Sequence, residues 1–230
     1  MKAWIVCSVA GLAFAANASA ATFSFGNITN NTTFGGGQLR VDVGPGTFDG
    51  FNNHVIFHFY HSGSIPMAIC DVYFDDGTLL ALGTNFGTSG PQVNFHAPAT
   101  PGNLPGANAV DFQTHVATSG AHWSADSDSP VYDNGVSPGE TLDVDFSLLG
   151  TLTYLDTIAA LTQGYINPTT RGLRIGFHVQ GIQPSGQSDS FVNGNVPVLI
   201  PLPVGSYLGF AGLAGVGALG FVRRRHLARV

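Results

Sequence analysis

The chain has 230 residues, with eight basic and fourteen acidic side chains and a formal net charge of −6. All fourteen acidic residues lie between residues 21 and 200, where three arginines are the only basic residues, so this body carries a net charge of −11. Such a body repels phosphate, which argues against nucleic acid as a partner. It attracts cations, Ca²⁺ included, although acidity that serves solubility alone is the simpler interpretation.

The N-terminal twenty residues have the pattern of an export signal. Lys2 precedes an apolar stretch over residues 3–16, and Ala18-Ser19-Ala20 forms a small-x-small cleavage site. Residues 1–20 are therefore predicted to be a signal peptide that directs Sec export. Ala18 and Ala20 are the residues that signal peptidase would read.

Residues 21–192 are predicted to form one β domain. Gly and Pro total 44 of 230 residues and separate short runs rich in β-branched and aromatic side chains. The simplest way to bury so many short strands is a two-sheet β-sandwich, jelly-roll-like, with one short helix. The predicted strands are Thr22–Phe25, Gln38–Val43, His54–Tyr60, Met67–Phe74, Thr78–Leu82, Gln92–His96, Val110–Val116, Thr141–Leu149, Gly172–Gln180 and Asp189–Val192.

Two local patterns are more specific. Asp76-Gly77 suits a two-residue turn, which predicts a central hairpin in which Phe74 pairs with Leu79. A capping box from Thr153 to Asp156 predicts a helix from Thr153 to about Thr162. Its buried face is predicted to hold Leu155, Ile158, Ala159 and Thr162, with Leu161 alongside.

The segment from Asp126 to Gly135 is the strongest candidate site. Asp126, Asp128 and Asp133 offer closely spaced oxygen ligands of the kind that Ca²⁺ takes. It is not a helix-loop-helix calcium loop, because Val131 stands at the sixth position and Ser137 at the twelfth, where glycine and glutamate are needed. The alternative is a solvated loop that uses Asp and Asn for turn geometry.

Catalytic patterns are weak throughout the chain. Asp143 and Asp145 share one strand face, and Asp75 and Asp76 could also join a partner, so paired carboxylates for glycoside hydrolysis are one alternative. Acidic residues that alternate along a strand more often form its wet side. His54 and His58 lie too far apart on their strand to share one metal directly. No nucleophile elbow and no phosphate-binding glycine loop is present.

The C-terminal segment predicts a membrane anchor. Residues 193–203 form a linker that ends in Pro201-Leu202-Pro203, and the uncharged apolar run 204–222 is 19 residues long, enough to cross a bilayer as a helix. Arg223, Arg224 and Arg225 begin a basic tail over residues 223–230 and would keep that end cytoplasmic.

This order of motif, apolar run and basic cluster resembles the sorting domain of bacterial PEP-CTERM proteins, in its VPLPA-CTERM variant. The sequence Ile200-Pro201-Leu202-Pro203-Val204 keeps both prolines and the central leucine of that motif. The resemblance implies processing by an exosortase-type membrane enzyme and an association with exopolysaccharide and biofilm. The body is similar to an uncharacterised domain that such proteins carry, on pieces that include Asp71–Leu80 and Leu173–Ile182.

The sequence therefore predicts an exported, non-catalytic protein of the cell surface or extracellular matrix. An inner-membrane-anchored intermediate would precede release to the surface. Polysaccharide, Ca²⁺ or both are the expected ligands. The alternative is a secreted polysaccharide-degrading enzyme that uses paired carboxylates.

Overall fold

The computed structural model describes residues 20–46, 53–76, 79–90, 92–112, 115–116, 123–163 and 172–198. Ala20 is exposed directly before the first strand. Ala18, the motif Pro201-Leu202-Pro203, the apolar run 204–222 and the arginines at 223–225 lie outside the described residues. Among the residues that are described, none belongs to a helix with the length and apolar character needed to span a bilayer.

The described part of the body is mostly β, with one α-helix, as predicted. The described strands are β1 (Ala21–Asn27), β2 (Leu39–Gly46), β3 (His54–His61), β4 (Ala68–Asp76), β5 (Leu80–Ser89), β6 (Phe95–His96), β7 (His115–Val116), β8 (Trp123–Ser127), β9 (Thr141–Leu148), β10 (Leu173–Ile182) and β11 (Gln187–Val198). Helix α1 spans Tyr154–Gln163, and a 3-10 turn spans Ala107–Val110.

These strands form one curved sheet rather than the two separate sheets of the predicted sandwich. Ten strands follow the order β5-β9-β3-β2-β1-β11-β10-β4-β8-β6, each antiparallel to its neighbour, and β7 lies parallel to β4. The first and last strands of the body pair with each other, with Thr22 opposite Val198. This β1–β11 ladder joins what would otherwise be two sheets, and the result is a half-barrel.

The two halves of the sheet enclose an aromatic core. Four strands separate β3 from β4 along the sheet, yet the ring centroids of Phe57 and Phe74 are 4.9 Å apart. Phe146 of β9 lies 4.8 Å from Phe74, and both rings are fully buried. Edge-to-face pairs of this kind contribute about 0.5–1.5 kcal/mol each beyond their area burial. The inner face of the curved sheet is therefore lined with large side chains from both halves that pack against each other.

The burial patterns explain which strands are central. In β2 and β3, buried and partly exposed residues alternate, as expected for strands with one solvated face. From Ala68 to Phe74 every residue of β4 is buried, so both faces of β4 are covered. On the outer side, Tyr73 belongs to a second small core whose other members come from the segment 99–112 and from β11: Ala99, Leu104, Ala107, Phe112 and Val192.

The predicted hairpin at Asp76-Gly77 is wrong. β4 pairs with β10 on one side and with β8 and β7 on the other, whereas β5 pairs with β9 at the opposite edge of the sheet. Both edges of β4 are occupied, so the chain crosses to the other half instead of returning alongside. The sequence pattern correctly predicted that β4 is covered and is not a solvated edge, but β5, which was predicted to be central with it, is an edge strand of the sheet.

Helix α1 shows the predicted contact between Thr153 and Asp156 and part of the predicted buried face. The Thr153 backbone N–H and hydroxyl each donate to Asp156 Oδ2 at 2.7 Å. Leu161 is buried and Ile158 packs against the core, as predicted, but Tyr154, Thr157 and Ala160 complete the buried face and Leu155 is 72% exposed. Tyr154 has the largest side chain of the helix, and burying its face removes more apolar surface from water.

Strand β8 was not predicted at all, and the other differences lie at strand ends. β5 extends to Ser89, seven residues beyond the end of the predicted strand Thr78–Leu82. The predicted strand Val110–Val116 is represented by the 3-10 turn and by the two-residue β7. β11 runs six residues beyond Val192 because it pairs with β1, so the predicted linker begins inside the sheet.

Candidate functional site

One outer face of the sheet carries a row of polar residues across β2, β3 and β9, which we name the acidic face: Asp42, His58, Asp143 and Asp145. Asp42 and Asp143 lie directly opposite His58 on its two sides. Asp42 also accepts hydrogen bonds from the Thr22 hydroxyl at 2.5 Å and the Tyr60 hydroxyl at 3.3 Å. The inward residues of the same strands are fully buried, so this row is the outer, partly solvated side of the sheet.

His58 is held between these carboxylates. Its Nδ1 pairs with Asp143 Oδ1, and the two side chains are 38% and 44% exposed. The hydrogen bond to Asp143 raises the pKa of His58, and the charges of Asp143 and Asp42 add to this effect against the smaller, opposing effect of burial. Protonation of His58 therefore offsets part of the negative charge of the acidic face.

Asp145 lies at the more buried end of this row. His54 Nδ1 lies 3.2 Å from Asp145 Oδ1, and His54 Nε2 lies 3.5 Å from Ser147 Oγ. His54 and Asp145 are only 6% and 8% exposed. The order Ser-His-Asp is that of an acyl-transfer triad, but the long Ser147–His54 distance makes this an ordinary cross-strand polar cluster at the limit of hydrogen bonding.

The other half of the sheet carries a second polar row on its outer face. His178, Asp71, Asp126 and His96 lie opposite each other in turn on β10, β4, β8 and β6. His178 Nδ1 lies 2.7 Å from Asp71 Oδ2. Burial raises the pKa of Asp71, the neighbouring Asp126 charge adds to this, and His178 partly opposes it.

The predicted metal ligands are only partly brought together. Asp126 Oδ1 and Asp128 Oδ1 lie 3.1 Å and 2.7 Å from the two ring nitrogens of the same residue, His96. Asp133 is exposed in the turn that follows, and its backbone N–H donates to the Pro130 carbonyl. Both ring nitrogens of His96 therefore face a carboxylate at the place where Ca²⁺ was predicted.

Across the described parts of the chain, no three His, Cys, Asp or Glu side chains are grouped closely enough to hold a metal ion. Ca²⁺ binding at Asp126, Asp128 and Asp133 remains a prediction.

Other potentially reactive side chains have structural partners. Asp75 forms a salt bridge with Arg174, whose guanidinium also donates to the Val110 carbonyl at 2.8 Å. Burial raises the pKa of the Cys70 thiol to about 12, so it stays protonated at neutral pH and is a poor nucleophile. Trp123 is 5% exposed and belongs to the main core, so it is not a surface platform for sugars.

A different feature lies at one end of the half-barrel, where the β1–β2 connection faces the β10–β11 turn. Together with Ile65 they enclose a cavity of about 620 Å³ that opens to solvent, which we name the loop-end groove. Its described lining carries amide, hydroxyl and apolar side chains but no ionisable one: Asn30, Asn31, Thr32, Thr33, Phe34, Gly35, Ile65, Ile182, Gln183, Pro184, Ser185 and Gln187.

A buried carboxylate fixes one wall of this groove. Asp189 is 1% exposed, and its two oxygens accept four hydrogen bonds. Oδ1 accepts from Thr29 Oγ1 at 2.8 Å and from the Asn31 backbone N–H at 2.7 Å. Oδ2 accepts from the Thr32 backbone N–H at 2.9 Å and from the Thr32 hydroxyl at 2.5 Å. Burial by itself would raise the pKa of Asp189, but the bonds from Thr32, Thr29 and Asn31 together hold it below its usual value. Asp189 therefore acts as an ionised clamp on the β1–β2 connection.

Comparison with known protein families, curated proteins and solved structures finds no match for this chain. Its function is accordingly argued from the geometry of its own side chains.

The sequence reasoning missed two components of these sites. His96 stands in Asn94-Phe95-His96, thirty residues before Asp126, and only the β6–β8 pairing brings them together. The loop-end groove combines segments near residues 30 and 185, which have no shared motif. Asn and Thr are concentrated in residues 27–33, and that was the one sequence signal available for it.

Proposed function

We propose that this chain is an exported, non-catalytic component of the cell surface or extracellular matrix that binds polysaccharide, Ca²⁺ or both. The proposed location is supported by the export signal at residues 1–20 and by the C-terminal motif, apolar run and arginine cluster. Signal peptidase, the Sec machinery and an exosortase-type enzyme would then be its processing partners, and the membrane would hold the intermediate.

The position of Asp143 and Asp145 is the main observation in favour of a non-catalytic function. Glycoside hydrolysis needs two carboxyl groups facing each other across a bound sugar. Here both carboxylates lie on one strand, on the outer face of a sheet, and each is paired with its own histidine, His58 or His54. Asp143 is partly exposed, whereas Asp145 is buried against His54, so the two carboxylates do not face each other across a cleft. This arrangement supports binding over bond cleavage.

Ca²⁺ titration tests the cation part of the proposal. The purified protein is expected to show a rise in melting temperature with Ca²⁺ that EDTA reverses. Two double variants locate the effect: Asp42→Asn with Asp143→Asn on the acidic face, and Asp128→Asn with Asp133→Asn at the sequence-predicted site. A protein that shows neither a Ca²⁺-dependent shift nor retention in gels containing acidic or neutral polysaccharide would overturn the binding proposal.

One observation favours a second candidate, a polysaccharide-degrading enzyme. Asp71 and Asp126 lie opposite each other on neighbouring strands, and the raised pKa of Asp71 is the property that a general acid requires. This candidate predicts sugar release that Asp71→Asn abolishes. Sugar release lost in Asp143→Asn or Asp145→Asn instead would assign the chemistry to the acidic face. Polymer retained without any release of reducing ends excludes the enzyme.

A further inference from the structure

The loop-end groove has the chemistry of a site for uncharged, hydroxyl-rich molecules. Exposed Gln183 and Gln187 and the exposed Asn30 provide amide groups, each of which both donates and accepts hydrogen bonds. Sugar hydroxyls also donate and accept, so amides match them without any charge. A charged ligand would find no opposite charge among the described lining residues.

Apolar side chains complete the lining. Phe34, Ile65 and Ile182 line the groove together with the amides, and the Phe34 ring packs edge-on against the buried Phe191 at 5.6 Å, which fixes its position. A pyranose ring has one face of C–H groups and a rim of hydroxyls, and it needs this combination of apolar contact and polar rim. A cavity of about 620 Å³ falls in the usual range for small-ligand sites.

The groove is built before any ligand arrives. The Asp189 clamp holds the backbone of Asn31 and Thr32, and the Asn31 side chain donates to the Ser188 carbonyl at 2.9 Å. Asn27 Oδ1 accepts from the backbone N–H groups of Thr29 and Asn30. A wall held by this many bonds loses little conformational entropy on binding, which favours affinity.

The groove also continues beyond a single sugar unit. A second depression shares Asn31 and Gln187 with it and extends along Gln180 and Ser188. Its described lining is again free of ionisable side chains. A linear polymer can therefore lie across both depressions.

We propose that the loop-end groove binds neutral sugar units of a polysaccharide, with Asn30 and Gln187 among the residues that contact them. This inference rests on the proposed function, for which it names the sugar class and the site. It requires no metal ion, and it uses a surface distinct from the acidic face.

Affinity electrophoresis of the purified protein in EDTA, in gels containing dextran, galactomannan or alginate, tests the inference. Retention is expected with at least one neutral polymer and not with alginate, which consists of uronates. The Asn30→Gly and Gln187→Ala variants are each expected to weaken retention about three- to tenfold, as for the loss of one hydrogen bond. Asn30 has φ 55°, so glycine removes its side chain without straining the backbone. Gln163→Ala removes an exposed amide at the end of α1 and is the matched control.

The outcomes separate the two proposals. Retention that survives Asn30→Gly and Gln187→Ala unchanged, or retention by alginate alone, overturns the groove while a polysaccharide-binding function stands. Absence of retention by all three polymers, with and without Ca²⁺, overturns both. Melting temperatures of the variants close to that of the parent show that a loss of retention is not a loss of fold.

Discussion

Asp189→Asn tests whether the clamp on the β1–β2 connection stabilises the domain as its geometry indicates. Asparagine is nearly isosteric and keeps one acceptor oxygen, which still serves Thr29 and the Asn31 backbone N–H. The other position becomes an NH₂ group that meets the Thr32 backbone N–H, so two donors face each other and the bond at 2.9 Å is lost. The Thr32 hydroxyl must turn from donor to acceptor.

The magnitude follows from these bonds. Hydrogen bonds to a charged group contribute about 1.5–3 kcal/mol each, and an unsatisfied buried donor adds a cost of similar size. With one bond lost and one reversed, the free energy of unfolding should fall by about 2–4 kcal/mol. For a domain of this size that is roughly 5–15 °C in melting temperature.

The pH dependence provides a second test. Because its folded-state pKa is depressed, Asp189 contributes stability that is present above the unfolded pKa of about 4 and is lost as the pH falls through the folded value. The variant lacks this group. The stability difference between parent and variant should therefore be full at pH 5–7 and shrink below about pH 4.

Urea unfolding followed by tryptophan fluorescence at several pH values measures both effects. Asp133→Asn, at an exposed position, is the control and should change stability by less than about 0.5 kcal/mol. A loss at pH 7 no larger than that of the control, or a difference that stays constant down to pH 3, would refute the clamp.

Three further predictions concern other parts of the molecule. The raised pKa of His58 means that its bond to Asp143 stabilises the fold below about pH 6.5, and this stabilisation is lost as the pH rises through the pKa of His58 in the folded protein. The free energy of unfolding of the parent should therefore exceed that of His58→Gln by less at pH 8 than at pH 6. A difference that does not change with pH would contradict the pairing. Gly176→Ala places a Cβ 2.7 Å from Leu104 Cδ2 in the second core and should lower the free energy of unfolding in urea by about 1–3 kcal/mol. An unchanged free energy of unfolding would show that the side chains of this core rearrange to accept the methyl group. Cys70 should resist iodoacetamide at pH 8 in the folded protein and react once urea unfolds it; equal rates in both states would contradict its burial.

The sequence predicted the β-rich character of the body where each strand carries its own signal. In β3, alternation of aliphatic or aromatic residues with His54, His58 and Tyr60 indicates both the strand and its solvated face. The predicted strand and the observed one differ by a single residue at the C-terminal end. Local chemistry also placed helix α1, because the Thr153–Asp156 capping box requires no tertiary information.

Pairing partners could not be predicted in this way. Asp76-Gly77 favours a tight turn on local grounds. The backbone hydrogen bonds that β4 forms with its two antiparallel neighbours outweigh the conformational preference of these two residues. The same limit explains the candidate site. From the sequence, Asp126 and Asp128 are interpreted as free oxygen ligands, whereas in the structure His96, from a strand thirty residues earlier, lies against both carboxylates.

Because Thr22 pairs with Val198, the start of β1 and the end of β11 lie side by side at one pole of the domain. Antiparallel β1 and β11 both place their other ends, and with them the loop-end groove, at the opposite pole. If the chain were anchored through residues after 198, the groove would lie at the end of the domain farthest from the anchor. Because β1 pairs with β11, a chain synthesised in N-to-C order cannot complete the sheet until the residues up to 198 have emerged.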